Sequence, residues 1–287
     1  MEGTFMRRRV EILAWVGSRL GKPPGFERVV RCLAPMHKCA HIPEICLVRE
    51  GSLFLTRLGL PLGWHVGFFG SYEPELRDIM RAVLPPDGVA VDVGANVGWH
   101  TLLMARLVGP RGRVLAIEPN PSIRERLLCN IRLNQLAQIE VVACAIAESK
   151  RVLDFFAPDA DDPASASGHV VSDEKDKSGS IRVEASTLDA IVPQKQLDRI
   201  DLLKIDAEGF EWPVLQGSEK TIARFRPYIM FEFDEAYASR GGGTTALFCE
   251  FFRRYRYRLF SVGRNWAELI DFLTWPANAN IFAAPLD

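Results

Sequence analysis

The chain has 287 residues, 48% apolar and 25% charged, with 35 Lys and Arg against 36 Asp and Glu. That is ordinary globular composition for one large or two smaller domains, and it excludes a mainly disordered, collagen-like or coiled-coil chain. A formal net charge of −1 supplies no global pull toward nucleic acid or an anionic membrane.

In chain order, Arg7, Arg8 and Arg9 precede an apolar stretch over residues 10–20 that superficially suggests a signal peptide. Glu11 and Arg19 interrupt it, and no small-residue cleavage site follows. Val10, Leu13, Ala14, Gly17 and Leu20 share one helical face, which predicts a docked amphipathic helix. No stretch reaches the ~18 uncharged apolar residues that span a bilayer, so stable membrane insertion is not expected. Turn signals follow at Gly21-Lys22-Pro23-Pro24-Gly25, Gly59-Leu60-Pro61 and Gly67-Phe68-Phe69-Gly70, with a hairpin predicted around residues 47–58. Residues 1–70 thus read as an N-terminal extension of short helices and a hairpin, and residues 71–287 as the main domain.

From Val89 the character changes. Val89-Ala90-Val91-Asp92-Val93 is the short apolar run of a buried parallel strand. A helix over 98–107, a strand over 113–118, a helix over 121–133 and a strand over 139–143 complete a βαβαβ unit of an open parallel sheet with helices on both faces. Residues 151–157 predict an extra strand. Residues 158–180, rich in Asp, Ser, Ala and Gly, read as a solvated loop, with a substrate lid as the alternative. Strands over 181–185, 202–205 and 228–233 follow, with helices opening at Glu211-Trp212-Pro213 and spanning 245–255. Residues 257–262 and 280–284 are expected to close the sheet as an antiparallel pair.

Cys32, Cys39, Cys46, Cys129, Cys144 and Cys249 are too thinly spread for a disulfide scaffold. Cys129 and Cys144 fall in segments that read as a buried helix and a core strand, so a reducing, cytoplasmic setting is the simpler expectation. Zinc at Cys32, His37, Cys39, His41 and Cys46 is disfavoured by the lack of a paired Cys-x-x-Cys spacing. Residues 253–258 mix arginines with tyrosines, but Tyr255, Tyr257 and Leu259 alternate as in a half-exposed strand, so no nucleic-acid partner is expected.

Two constellations carry chemistry. Asp92-Val93-Gly94-Ala95-Asn96-Val97-Gly98 lies between a strand and a helix, where glycines let the backbone pass close to a ligand. Its spacing is not the Gly-x-Gly-x-x-Gly of dinucleotide binders. Glu118, 24 residues past Gly94, ends the next strand, where a carboxylate suits the vicinal diol of a ribose. At the other strand ends, Asp206, Glu208 and Glu232 are expected to converge near that site.

These motifs together resemble the FkbM family of S-adenosylmethionine-dependent methyltransferases. The resemblance rests on residues 91–101, Glu118-Pro119-Asn120, residues 204–209 with Glu211 and Gly217, and Phe231-Glu232-Phe233. Tyr72-Glu73-Pro74-Glu75 is similar to a short acidic motif of that family. The resemblance, which covers roughly residues 70–233, implies a Rossmann-like, class I methyltransferase fold; the N-terminal extension, outside the resemblance, is expected to cover one side of the cofactor cleft. It implies that Asp92, Gly94 and Asn96 line the methionine part of the cofactor and Glu118 holds its ribose. Asn120 would lie beside that diol, Cys144 and Ala145 would border the adenine, and Glu73 would reach the cofactor's amino group.

The expected activity is O-methylation of a hydroxyl on a small molecule, a natural product or a carbohydrate. Methylation of an amine or carboxylate, or a non-catalytic S-adenosylmethionine-binding module, stands as the alternative. Asp206, Glu208 and Glu232 are the candidate catalytic carboxylates, with His100 the lesser candidate. Asp206 and Glu232 are also the candidate ligands of Mg²⁺, because they end neighbouring strands as in catechol-type O-methyltransferases. Lys204 stays open between a site residue and a salt-bridge partner, as does assembly into a homo-oligomer.

Overall fold

The computed structural model describes residues 25–34, 43–47, 51–157, 168–171, 179–263, 268–269 and 275–286, together with Leu13 and Val16. Helix α1 (Phe26–Leu33), the antiparallel pair β1 (Pro43–Leu47) and β2 (Leu53–Arg57), α2 (Pro61–Phe69) and α3 (Pro74–Val83) lead into the main sheet. Then come β3 (Val89–Val93), α4 (Trp99–Val108), β4 (Arg113–Ile117), α5 (Pro121–Leu133) and β5 (Ile139–Val142), the expected βαβαβ unit.

Short strands β6 (Ala145–Ile146), β7 (Arg151–Phe156), β8 (His169–Val170) and β9 (Ser180–Ser186) form a separate four-stranded sheet in the order β6-β9-β7-β8. After it run α6 (Leu188–Gln194), β10 (Leu202–Ile205), α7 (Glu211–Gln216), α8 (Glu219–Phe225), β11 (Tyr228–Asp234), α9 (Glu235–Ala238) and α10 (Thr245–Arg254). Strands β12 (Tyr257–Val262), β13 (Glu268–Leu269) and β14 (Asn278–Pro285) complete the eight-stranded sheet, ordered β13-β12-β14-β11-β10-β3-β4-β5. Strands β5, β4, β3, β10 and β11 pair in parallel, while β14 runs antiparallel between β11 and β12. The expected closing pair therefore forms, with the last strand inserted inside the one before it. This is a Rossmann-like α/β sheet.

The strand sequences explain why helices cover both faces. Successive side chains of a strand point to opposite sides. Val89, Val91, Val93, Leu115, Ile117, Leu203, Ile205, Ile229 and Phe231 join one apolar cluster, packed with α6, α7, α8 and α10. The intervening Ala90, Val114, Ala116, Leu202 and Met230 join the other, packed with α3, α4 and α5. Each fully buried large aliphatic side chain contributes ~1.5–3 kcal/mol, so neither face tolerates exposure. Phe54 and Val66, from β2 and α2, sit in the second cluster, and the β2 backbone N–H groups of Leu53 and Leu55 donate to Asn134, which caps the end of α5, and to Asn130 within it. Leu13, Phe26, Trp64 and Phe68 form a smaller apolar cluster beyond them.

Three expectations need correction. Gly67 is not in a turn: it lies within α2, which ends only at Gly70 (φ 62). Cys129 is exposed on α5 rather than buried, because that helix buries only Leu127, Asn130 and Ile131. Residues 253–256 are not strand: α10 runs to Arg254, and Tyr257 is buried with its hydroxyl donating to the Pro227 carbonyl. Most of the helix expected over 10–20, residues 158–167 and 172–178 of the expected loop, and His37, Cys39 and His41 lie outside the described residues. Among the described residues, no helix is long and apolar enough to cross a membrane.

Candidate active site

The strand order reverses between β3 and β10, so their carboxyl ends diverge into a crevice. A cavity of about 390 Å³ opens there. Its floor is two turns pressed backbone to backbone. Gly94 has φ 77, and a Cβ at that position would lie 1.8 Å from the Asp206 carbonyl oxygen. Glycine is thus required twice over, by conformation and by space. Asn96 is also left-handed, at φ 49, a conformation asparagine tolerates better than most residues.

Glu118 ties the β3 turn to the β4 turn. Its Oε2 accepts the Asn96 N–H at 2.9 Å and its Oε1 accepts the Asn120 N–H at 2.8 Å. Burial pushes its carboxyl up to about 7 against the pull of those two donors. The Asn120 side chain caps α5 by accepting the Ser122 N–H at 3.0 Å. Cys144 and Ala145 line the same end of the cavity, and burial pushes the Cys144 thiol up to about 11, so it is wall and not nucleophile.

Asp92 is placed differently from its expected neighbours. It is fully buried and does not line the cavity. Its Oδ2 accepts the Thr101 hydroxyl at 2.6 Å, and its Oδ1 faces Lys204 Nζ at 3.5 Å. Lys204 Nζ in turn donates to Asp206 Oδ2 at 3.2 Å. Burial pulls the Lys204 ammonium down, but Asp206 and Asp92 outweigh it and hold the pKa above the ordinary lysine value. Lys204 is therefore a buried cation linking the core to the cavity.

Asp206, Glu208 and Glu232 each present an oxygen within 4.8 Å of the others. The chain is bent to allow this. The Asp206 N–H donates to the Val93 carbonyl at 3.0 Å, Glu208 is left-handed at φ 52, and Gly209 follows at φ 94. Glu211 turns back to hold the bend, its Oε1 accepting the Ala207 N–H at 2.8 Å and the Gly209 N–H at 3.3 Å. Burial pushes the Glu211 carboxyl up to about 7. Glu232 comes from β11, beside β10, and burial with the charges of Asp206 and Glu208 pushes it up to about 8. At neutral pH this cluster holds a proton, or it needs a cation.

Glu73 reaches the cavity from the N-terminal side. Its Oε1 accepts from Asn280 Nδ2 at 3.3 Å, and its Oε2 lies 3.4 Å from His100 Nε2. Burial and then Asp206 push the Glu73 carboxyl up, whereas burial and Lys204 hold His100 neutral. The structure thus brings Glu73, Gly94, Asn96, Glu118, Asn120, Cys144, Ala145, Asp206, Glu208 and Glu232 to one cavity. Sequence reasoning missed Tyr72, Thr56, Phe155, Val170, Phe210 and Tyr237 as lining residues. They come from the N-terminal elements, the small second sheet, the turn that opens α7, and α9, and no local spacing connects them. The role of Glu211 was readable in part, since it follows Asp206 and Glu208 at the start of a helix. Of the residues weighed for zinc, Cys32 is exposed on α1 and Cys46 lies on β1.

Residues 92–259 match the family described as Methyltransferase FkbM domain. The chain is 30% identical over 255 residues to AMB antimetabolite synthetase AmbE of Pseudomonas aeruginosa, covering 71% of this chain and 12% of AmbE. It is 26% identical over 170 residues to the 2-O-methyltransferase NoeI of Sinorhizobium fredii, covering 55% of this chain and 68% of NoeI. The crystal structure of Methyltransferase FkbM from Methylobacillus flagellatus covers 76% of this chain and 52% of its own, at 16% identity and a TM-score of 0.44.

Proposed function

The chain belongs to the FkbM methyltransferase family, and from that premise we propose that it uses S-adenosylmethionine to methylate a hydroxyl group of a small molecule, a natural product or a carbohydrate. The observation that carries this reading is the cluster of Asp206, Glu208 and Glu232, which lines the cavity beside the Gly94 turn. Glu73 and Glu118 line the same cavity. A cavity walled by carboxylates suits a ligand carrying a sulfonium and an ammonium charge.

In this reading Gly94 and Asn96 line the methionine part of the cofactor, and Glu118, with Asn120 beside it, takes the ribose hydroxyls. Cys144 and Ala145 border the adenine, Glu73 meets the amino group, and Asp92 acts indirectly by holding Lys204. S-adenosylmethionine held by these residues would supply a methyl group already activated on a sulfonium sulfur, whose leaving group is a neutral thioether. The protein's share is alignment of the acceptor and removal of its proton. A carboxylate of the cluster accepts that proton, and in Glu232 burial, then the charges of Asp206 and Glu208, raise the basicity toward neutral pH. NoeI, named as a 2-O-methyltransferase, supports oxygen as the methylated atom. Residues 51–70 of the N-terminal extension serve as a cover for the cleft, supported by Thr56, Leu60, Pro61 and Leu62 in its wall.

Calorimetric titration with S-adenosylmethionine, S-adenosylhomocysteine and NAD tests the cofactor. Micromolar binding of the first two alone is expected, and no binding to folded protein would sink the proposal. Mg²⁺ on Asp206 and Glu232 is a second reading, favoured by the spacing of the three carboxylates. Turnover that survives chelation of divalent ions would remove it.

A further inference from the structure

Helix α5 grips two parts of the chain that both wall the cavity. The first is the turn after β3. Gly98 is left-handed at φ 97, and a Cβ there would lie 2.6 Å from Leu127 Cδ1 of α5. Three residues on, Asn130 Nδ2 donates to the Val97 carbonyl at 2.8 Å. Asn96, the preceding residue of that turn, lines the cavity and donates its N–H to Glu118.

The second part is the cover. Asn130 Oδ1 accepts the Leu55 N–H at 2.8 Å, and Asn134 Oδ1 accepts the Leu53 N–H at 2.8 Å. Asn134 Nδ2 returns a bond to the Leu53 carbonyl at 2.6 Å. Four residues of helix rise ~6 Å and two residues of strand ~6.6 Å, so the two amides stand in for the peptide groups of a neighbouring strand. Thr56 of β2 and Leu60 and Leu62 beside it line the cavity. A Cβ on Gly63 would lie 2.0 Å from the Arg57 carbonyl oxygen, so β2 and α2 pack as one piece. Asn130 has no exposed surface and stands behind the cavity wall, touching both the turn and the cover. Among the described residues, the Asn134 side chain bonds instead to Leu53, Arg106 and the Asn130 carbonyl.

We propose that Asn130 is a positioning residue that couples the cover to the cofactor turn, so that cofactor binding and the seating of β2 favour each other. The inference rests on the S-adenosylmethionine reading above. If β2 lifts, the Asn130 amide loses its partner on one side while still buried, which is costly. The amide then no longer holds the Val97 carbonyl in one orientation, and the cofactor meets a looser turn. A ligand that prefers one of two states shifts the balance toward it, and such coupling is reciprocal.

The test follows amide hydrogen exchange by NMR in the full chain, with S-adenosylhomocysteine as the probe. In the wild type it should slow exchange at Leu53 and Leu55 ~3-fold more than at the amides of β12, which report only general stabilisation by a ligand. Asn130→Ala should weaken S-adenosylhomocysteine binding ~3- to 10-fold by calorimetry and remove the extra slowing at Leu53, which Asn134 still holds. Asn134→Ala removes as many bonds to β2 but leaves the turn untouched, so its affinity should stay within about twofold of wild type. Equal slowing at β2 and β12 in the wild type overturns the coupling. So does unchanged affinity in Asn130→Ala, or an equal loss of affinity in Asn134→Ala. If Asn130→Ala does not fold, the wild-type exchange pattern decides alone. Failure of the wild type to bind S-adenosylhomocysteine overturns the methyltransferase reading, and the coupling with it.

Discussion

Replacing Lys204 by Met removes a buried charge from the middle of a chain of three groups, between buried Asp92 and partly exposed Asp206. At an effective dielectric of ~20, the 3.5 Å separation from Asp92 corresponds to an attraction of ~5 kcal/mol before desolvation is counted. The second contact, to Asp206 at 3.2 Å, reaches a partly exposed carboxylate and counts for less. Methionine fills a similar volume, so the main effect is electrostatic. Asp92, with no exposed surface, keeps one hydroxyl donor, from Thr101. Breaking a buried pair on one side typically costs ~3–5 kcal/mol. At ~2.1 cal/mol/K per residue, unfolding 287 residues carries an entropy of ~0.6 kcal/mol/K, so the midpoint should fall by ~5–8 °C. Scanning calorimetry at pH 7 measures this directly. Asp92→Asn combined with Lys204→Met removes both charges and should be more stable than the sum of the single losses by ~1–3 kcal/mol. A Lys204→Met midpoint within ~1 °C of wild type, or strict additivity in the double variant, would refute the buried-pair argument.

Glu118→Gln keeps an acceptor for one of the two backbone N–H groups, where alanine would orphan both; it should weaken S-adenosylmethionine binding ~10- to 100-fold. Unchanged affinity by calorimetry would remove Glu118 from the cofactor site. Asp206→Asn should lower turnover ~100-fold or more with a far smaller change in cofactor affinity, and a folded variant with full activity would end the proton-acceptor reading. Glu118 and Glu211 at about 7 and Glu232 at about 8 lie above the ordinary carboxylate value, so the folded chain binds protons that the unfolded chain releases. Their stabilisation is complete below the unfolded value and is lost as pH rises through 7 and 8. The melting temperature of the ligand-free protein should therefore fall from pH ~5.5 to pH ~8.5 at constant salt, and a rise over that range would contradict the assignment.

The parallel strands were legible because their burial on both faces leaves short apolar runs that stand out from any neighbouring pattern. The glycine turn before α4 and the acids ending β4, β10 and β11 were legible for a related reason: in such sheets, ligand chemistry gathers at strand carboxyl ends. The second sheet was not. Its strands β6 and β8 have two residues each, too short to show a period, and β7 finds β8 and β9 across segments of 12 and 23 residues. Cys129 misled because α5 buries only a narrow stripe, which a largely polar helix does not advertise.

Residue order alone thus determined the repeating α/β unit, the place of the crevice and the identity of most side chains that could act in it, since these follow from spacings of two to four residues and from which residue types tolerate a left-handed turn. Tertiary structure decided the rest. Insertion of β14 beside β11 put Asn280 opposite Glu232 and let it hold Glu73 over the acids. Parallel pairing of β3 with β10 set Lys204 opposite Asp92, turning one expected ligand-binding carboxylate into a buried counter-ion. Charge state and role depend on distance and solvent access, and both are set by strand order across more than a hundred residues of chain.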